Sequence, residues 1–333
     1  MRVAVVGLGY WGPNHIRNLL ALDACTSVIA VDTDPNRAKD AAAGHSAVEA
    51  ATDLAAVLRD ATLDAVVLAT PVASHAALAR TVLLAGKSVL VEKPLATSRR
   101  EAEGLVALAR AQGLLISGGH TFLYSPAVTA VRNLIAGGEL GDLLYLQGSR
   151  VNLGIHNPLV NVLWDLAPHD LSIVLDWIGE HPSRVSAVGR SSHPDLPPDV
   201  AFLTLSFPSG FVASLHLSWL APTKIRRMTL VGAKKMLVYE DNNLEEPVKV
   251  YDKGVDLAVP ADFGEYQLTY RTGDIVSPKV PVREPLRAQL DDFLSRVMAG
   301  EVPDAREDRV VEIVGIIEAA DRSLRQHGQP VTL

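Results

Sequence analysis

Apolar residues in the first 120 positions fall in short β-branched runs, separated by stretches whose apolar side chains recur every three or four residues. The runs predict strands near 2–6, 27–31, 65–69, 87–91 and 114–117, and the stretches between them predict helices near 12–22, 35–43, 52–59, 73–85 and 98–112. Regular alternation of strand and helix is the pattern of a parallel, doubly wound sheet. Glycine punctuation agrees. Gly86 and Gly113 each fall just past a predicted helix and just before the next apolar run, as a C′ glycine would.

Beyond residue 120 the pattern changes. Ser125-Pro126 reads as an N-cap and first-turn proline of a helix ending at Gly137-Gly138, and 142–152 reads as a long strand. From Trp164 to Trp177 the apolar residues Leu166, Ile173, Val174 and Trp177 suit a helix with one buried face. The segments 183–191, 200–207, 211–218, 225–231, 234–240 and 246–251 read as strands joined by turns such as Pro208-Ser209-Gly210. Short consecutive strands imply an antiparallel or mixed sheet. Two helices, 285–299 and 306–327, close the chain, and 252–283 reads as a loop long enough for a binding role. The predicted division is residues 1–120 and residues 121–333.

Composition narrows the classes. A length of 333 residues matches two domains of roughly 150 each. A formal charge of -7, from 31 basic and 38 acidic residues with no long basic run, leaves no footprint for nucleic acid or an anionic membrane. The single Cys25 can form no internal disulfide and argues against a structural zinc; it reads as a buried small hydrophobe. No signal-peptide pattern and no run of about 18 apolar residues is present, so a soluble, cytoplasmic protein is expected.

The chemistry begins at Gly7-Leu8-Gly9-Tyr10-Trp11-Gly12, which follows the strand Val3-Ala4-Val5-Val6 and opens a helix. In a dinucleotide-binding fingerprint Gly7 makes the tight turn, Gly9 admits a pyrophosphate, and Gly12 lets helix and strand pack closely. An ordinary glycine-rich turn is the alternative. Asp32 ends the second strand, about 20 residues past the last glycine, where an acid accepts hydrogen bonds from ribose hydroxyls and repels a 2′-phosphate. It therefore favours NAD over NADP, with Arg37 keeping NADP open, unless it only caps the following helix.

Glu92-Lys93-Pro94 lies at the carboxyl end of a parallel strand, where open α/β sheets bind ligands. Lys93 is a catalytic candidate there, or one of two solvated charges. Thr70-Pro71 and His75 form a loop suited to the dinucleotide, with His75 otherwise a packing residue, and His120 either lines the cleft or satisfies the backbone. Asp165 and His169 share one side of a helix and suit acid–base work, or a structural role. No third metal ligand follows at comparable spacing, and no metal is expected.

Taken together, the fingerprint at 7–12, Asp32, the TP…H element at 70–75, EKP at 92–94 and WDxxxHD at 164–170 resemble the Gfo/Idh/MocA oxidoreductase family. The similarity spans nearly the whole chain, including TYRTGD at 269–274, EPLRAQLDDF at 284–293 and the SLRQHGQPV ending. It implies an N-terminal Rossmann domain and a C-terminal α/β domain with a large, mostly antiparallel sheet whose open face forms dimers or tetramers. It also implies that Lys93 and His169 carry proton transfer, that Asp165 orients the site, and that Lys93-Pro94 is cis. Asn161-Val162-Leu163-Trp164 stands where many members have a Gly-Gly run. The expected reaction is hydride transfer between NAD or NADP and a carbinol carbon of a sugar or nucleotide sugar. An inositol or free-sugar dehydrogenase and a catalytically silent NAD(H)-binding regulator are the rivals. Arg150, Arg226, Arg227 and Arg271 are candidates to cradle a diphosphate.

Overall fold

A computed structural model describes residues 1–154, 160–258 and 267–333. Two compact units form, Met1–Tyr124 with Arg283–Glu318, and Ser125–Val282 with Ala319–Leu333.

The first unit is built on β1 (Arg2–Val6), β2 (Ser27–Val31), β3 (Val48–Ala51), β4 (Ala65–Leu68), β5 (Ser88–Val91) and β6 (Ile116–Gly118). They form a parallel sheet in the order β3-β2-β1-β4-β5-β6, with α1 (Gly12–Leu19), α2 (Pro35–Ala42), α3 (Leu54–Leu58), α4 (His75–Leu84) and α5 (Arg99–Gln112) between them in sequence. β4 and β5 are buried throughout, which is why they read as unbroken apolar runs. Ser98 caps α5 by accepting from the Glu101 amide, and Gly113 closes it at φ 66°. α8 (Pro285–Met298) and most of α9 (Ala305–Arg325) also belong to this unit, although the sequence pattern divides the chain once, near residue 120. The reason is burial: Leu286, Leu290, Phe293 and Leu294 share one core with Val3, Ile16 and Leu90. Each such side chain contributes about 1.5–3 kcal/mol when fully buried.

The second unit contains α6 (Pro126–Ala136), β7 (Leu143–Val151), α7 (Val162–Ile178), β8 (Arg184–Arg190), β9 (Val200–Ser206), β10 (Val212–Ser218), β11 (Ile225–Gly232), β12 (Met236–Glu240), β13 (Val248–Ala258), β14 (Gln267–Val276) and β15 (Val331–Thr332). The sheet order is β14-β13-β12-β11-β7-β10-β9-β8-β15, and β7–β10 is the parallel pair among otherwise antiparallel neighbours. Ala213, Leu215 and Leu217 point to the buried side, while Val212, Tyr145 and Phe202 are exposed on the other, where Phe202 stacks on His216 at 4.5 Å. The loop expected over 252–283 is corrected. β13 continues to Ala258 and pairs with β14, and residues 259–266 lie outside the described residues. Among the described residues no helix is long and apolar enough to cross a membrane.

Candidate active site

Three neighbouring strands of the first unit end in step. Gly7 N donates to Val31 O at 2.9 Å, Ala69 N to Val6 O at 2.8 Å, and Glu92 N to Leu68 O at 2.9 Å. The glycine loop, Thr70-Pro71 and Glu92-Lys93-Pro94 therefore leave the sheet along one rim, beside β1 and β4 where the strand order reverses. A cleft of about 530 Å³ opens there, lined by Gly7, Gly9, Tyr10, Asp32, Thr70 and Pro71 among others.

The glycines differ in what they permit. Gly7 has φ 89°, and a Cβ on it would lie 2.8 Å from Ala69 O; a Cβ on Gly12 would lie 2.3 Å from Gly7 O. Nothing lies within 4 Å of a Cβ on Gly9, so the chain leaves open space where a pyrophosphate would approach. Trp11, the N-cap of α1, makes no side-chain cap, so no side-chain acceptor from it competes for the first-turn amides. Tyr10 is 82% exposed and stacks edge-on against Trp11 at 5.4 Å, which makes both surface residues of this loop rather than core packing. Leu8 is buried, and its amide donates to Asp32 Oδ2 at 2.7 Å while Asp34 N donates to Oδ1 at 2.9 Å. Each carboxylate oxygen keeps accepting capacity for a ribose hydroxyl. Arg37 also lines the cleft and faces Asp34 at 3.7 Å. Space, amides and acid thus suit a nicotinamide dinucleotide.

Two rim residues turn away from the cleft. His75 is 1% exposed, with Nδ1 2.8 Å from Pro94 O and Nε2 2.8 Å from Thr70 O, so it ties the two loops together from behind. Glu92 is 8% exposed and meets His15 Nε2 at 2.8 Å. Burial pushes its carboxyl up, but the His15 hydrogen bond and the Lys93 charge outweigh burial and hold it below the usual glutamate range. Lys93 is half-buried and its bond to Pro94 is cis. His120 is buried. Cys25 is buried too, and burial pushes its thiol up.

In the second unit Asn161 caps α7 by accepting from the Leu163 and Trp164 amides, and its Nδ2 donates to Asp321 at 2.6 Å. Asp165 and His169 follow, half-buried and one turn apart, with Pro168 inside the helix. Trp219 Nε1 donates to Asp165 Oδ2 at 3.1 Å, a partner that sequence spacing does not reveal. Arg150 is 3% exposed and bonds Asp170 at 2.6 Å, which removes it from the cradle expected for a diphosphate. Arg226 pairs with Asp241 at 2.9 Å and Arg271 with Asp252 at 3.0 Å. Among the described residues no group of three potential metal ligands forms.

Comparison with known proteins adds the family. Residues 1–120 match the oxidoreductase family with an NAD-binding Rossmann fold, and residues 128–238 match the GFO/IDH/MocA C-terminal domain. The UDP-N-acetylglucosamine 3-dehydrogenase of Acidithiobacillus ferrooxidans is 29% identical over 90% of this chain and 89% of its own. The 4-carboxy-2-hydroxymuconate-6-semialdehyde dehydrogenase of a Sphingobium species is 30% identical over 66% of this chain and 72% of its own. Among solved structures, GenD2 from gentamicin A biosynthesis in complex with NAD superposes with a TM-score of 0.82 at 26% identity, covering 100% of this chain and 96% of that one. With both domain models matched in order and the glycine rim in place, the chain belongs to the Gfo/Idh/MocA family of NAD(P)-dependent oxidoreductases.

Proposed function

We propose that this protein transfers a hydride reversibly between NAD and a carbinol carbon of a sugar or nucleotide sugar, with Lys93 and His169 handling the proton. The observation that carries the reading is the rim itself: Lys93 leaves β5 in step with the glycine loop after β1 and Thr70-Pro71 after β4. Gly7 to Gly12 and the first turn of α1 would hold the pyrophosphate, Asp32 the adenosine ribose, and Thr70-Pro71 the cleft wall. NAD, when bound, supplies the hydride-accepting carbon. Lys93 Nζ hydrogen-bonds the reacting hydroxyl and His169 takes its proton, with Asp165 orienting the site. Trp219 restrains the carboxylate of Asp165.

A nucleotide sugar is the preferred substrate class, because the relative aligned along most of the chain acts on UDP-N-acetylglucosamine. The semialdehyde dehydrogenase shows that related chains also serve quite different compounds. Turnover should therefore be measured across nucleotide sugars, free sugars and inositols, each with NAD and NADP. Faster NAD-linked turnover of a nucleotide sugar than of its free sugar supports the reading. Equal kcat/KM for the two gives the free-sugar reading the lead, and no turnover across the panel with intact NAD binding favours the silent regulator.

A further inference from the structure

We propose that His15 and Glu92 form a positioning pair that fixes the main chain of Lys93 and sets the charge beside its amine; this rests on the assignment of Lys93 to proton transfer. His15 lies three residues past Gly12 on α1 and is 0% exposed. A carboxylate only accepts hydrogen bonds, so Nε2 carries the hydrogen in the 2.8 Å contact with Glu92 Oε1. The second oxygen, Oε2, accepts from the main-chain N–H of Lys93 at 3.2 Å. One carboxylate thus joins the glycine-loop helix to the backbone of the candidate catalyst.

The segment is also gripped from β6. A Cβ on Gly119 would lie 2.9 Å from Glu92 Cα and 3.1 Å from Lys93 N, so the loop after β6 packs directly on the pair. A carboxylate is costly to bury unless hydrogen bonds and charge compensate it, and here both do. The groups facing the Glu92 carboxylate are His15 from α1, Lys93 from its own loop and the Gly119 backbone just past β6, with His120 next in sequence. The attraction between Glu92 and Lys93 is mutual, so the carboxylate places a negative charge beside the amine.

The test separates charge from shape. Glu92→Gln keeps the side-chain outline while removing the charge and exchanging one of the two acceptor oxygens for an NH2 donor. Competitive acetylation of Lys93 by acetic anhydride, read by peptide mass spectrometry at one fixed pH, needs no substrate. Labelling of Lys93 relative to the other lysines is expected to rise by about twofold or more in Glu92→Gln, where the neighbouring negative charge is gone. With the substrate found in the turnover panel, His15→Leu should lower kcat about tenfold or more while changing the KM for NAD less. His15→Gln, which restores an N–H toward Glu92, should recover most of that loss. Unchanged labelling of Lys93 in Glu92→Gln, with turnover still lost in Lys93→Ala, would show that the pair only supports the fold. Normal turnover in Lys93→Ala would instead remove the lysine assignment, and the proposal with it.

Discussion

We propose that cofactor preference rests on a single carboxylate. Asp32 lines the cleft and is oriented by the amides of Leu8 and Asp34, and in the proposed binding mode its charge would face a 2′-phosphate. NAD should therefore bind more tightly than NADP, and Asp32→Ala should narrow the difference by about tenfold or more, the scale of a lost charge-assisted hydrogen bond. Fluorescence titration with both dinucleotides checks this, and tighter NADP binding by the unaltered protein contradicts it. The glycines and Asp32 were legible because their spacing is the backbone requirement itself. His15 was not, since a histidine inside an amphipathic helix has no local mark of the glutamate 77 residues away that it meets. The inward turn of His75 was hidden in the same way: its partners are carbonyls brought close by the fold.

At the scale of elements, strands and helices with a single strong period were readable and two-sided ones were not. β3, Val48-Glu49-Ala50-Ala51, is an edge strand with only Val48 buried, and β14 exposes residues on both faces, so neither shows apolar alternation. α7 was readable from its apolar face even though Pro168 removes an internal donor. Its start depends on Asn161, which caps two amides and bonds Asp321. Asn161→Ala is expected to lower unfolding stability by about 1–2 kcal/mol. Urea denaturation measures that change, and an unaltered midpoint would mean the cap contributes nothing.

For the molecule as a whole, the parallel sheet and the mixed sheet followed from where the apolar period changes, whereas the return of α8 to the first unit did not, because its apolar stripe names no destination. The exposed side of the second sheet carries Tyr145, Val188, Phe202 and Val212, an apolar patch that calls for cover. We expect a homodimer or homotetramer through it; light scattering that gives a monomer at micromolar concentration would refute this. Above all, hydride transfer by this protein should depend on Lys93 and His169 but not on them for holding NAD. The most direct measurement compares turnover and NAD affinity in Lys93→Ala and His169→Ala. The account predicts turnover lowered by about a hundredfold or more with NAD affinity within a few-fold, and near-normal turnover in both variants at saturating NAD would contradict it.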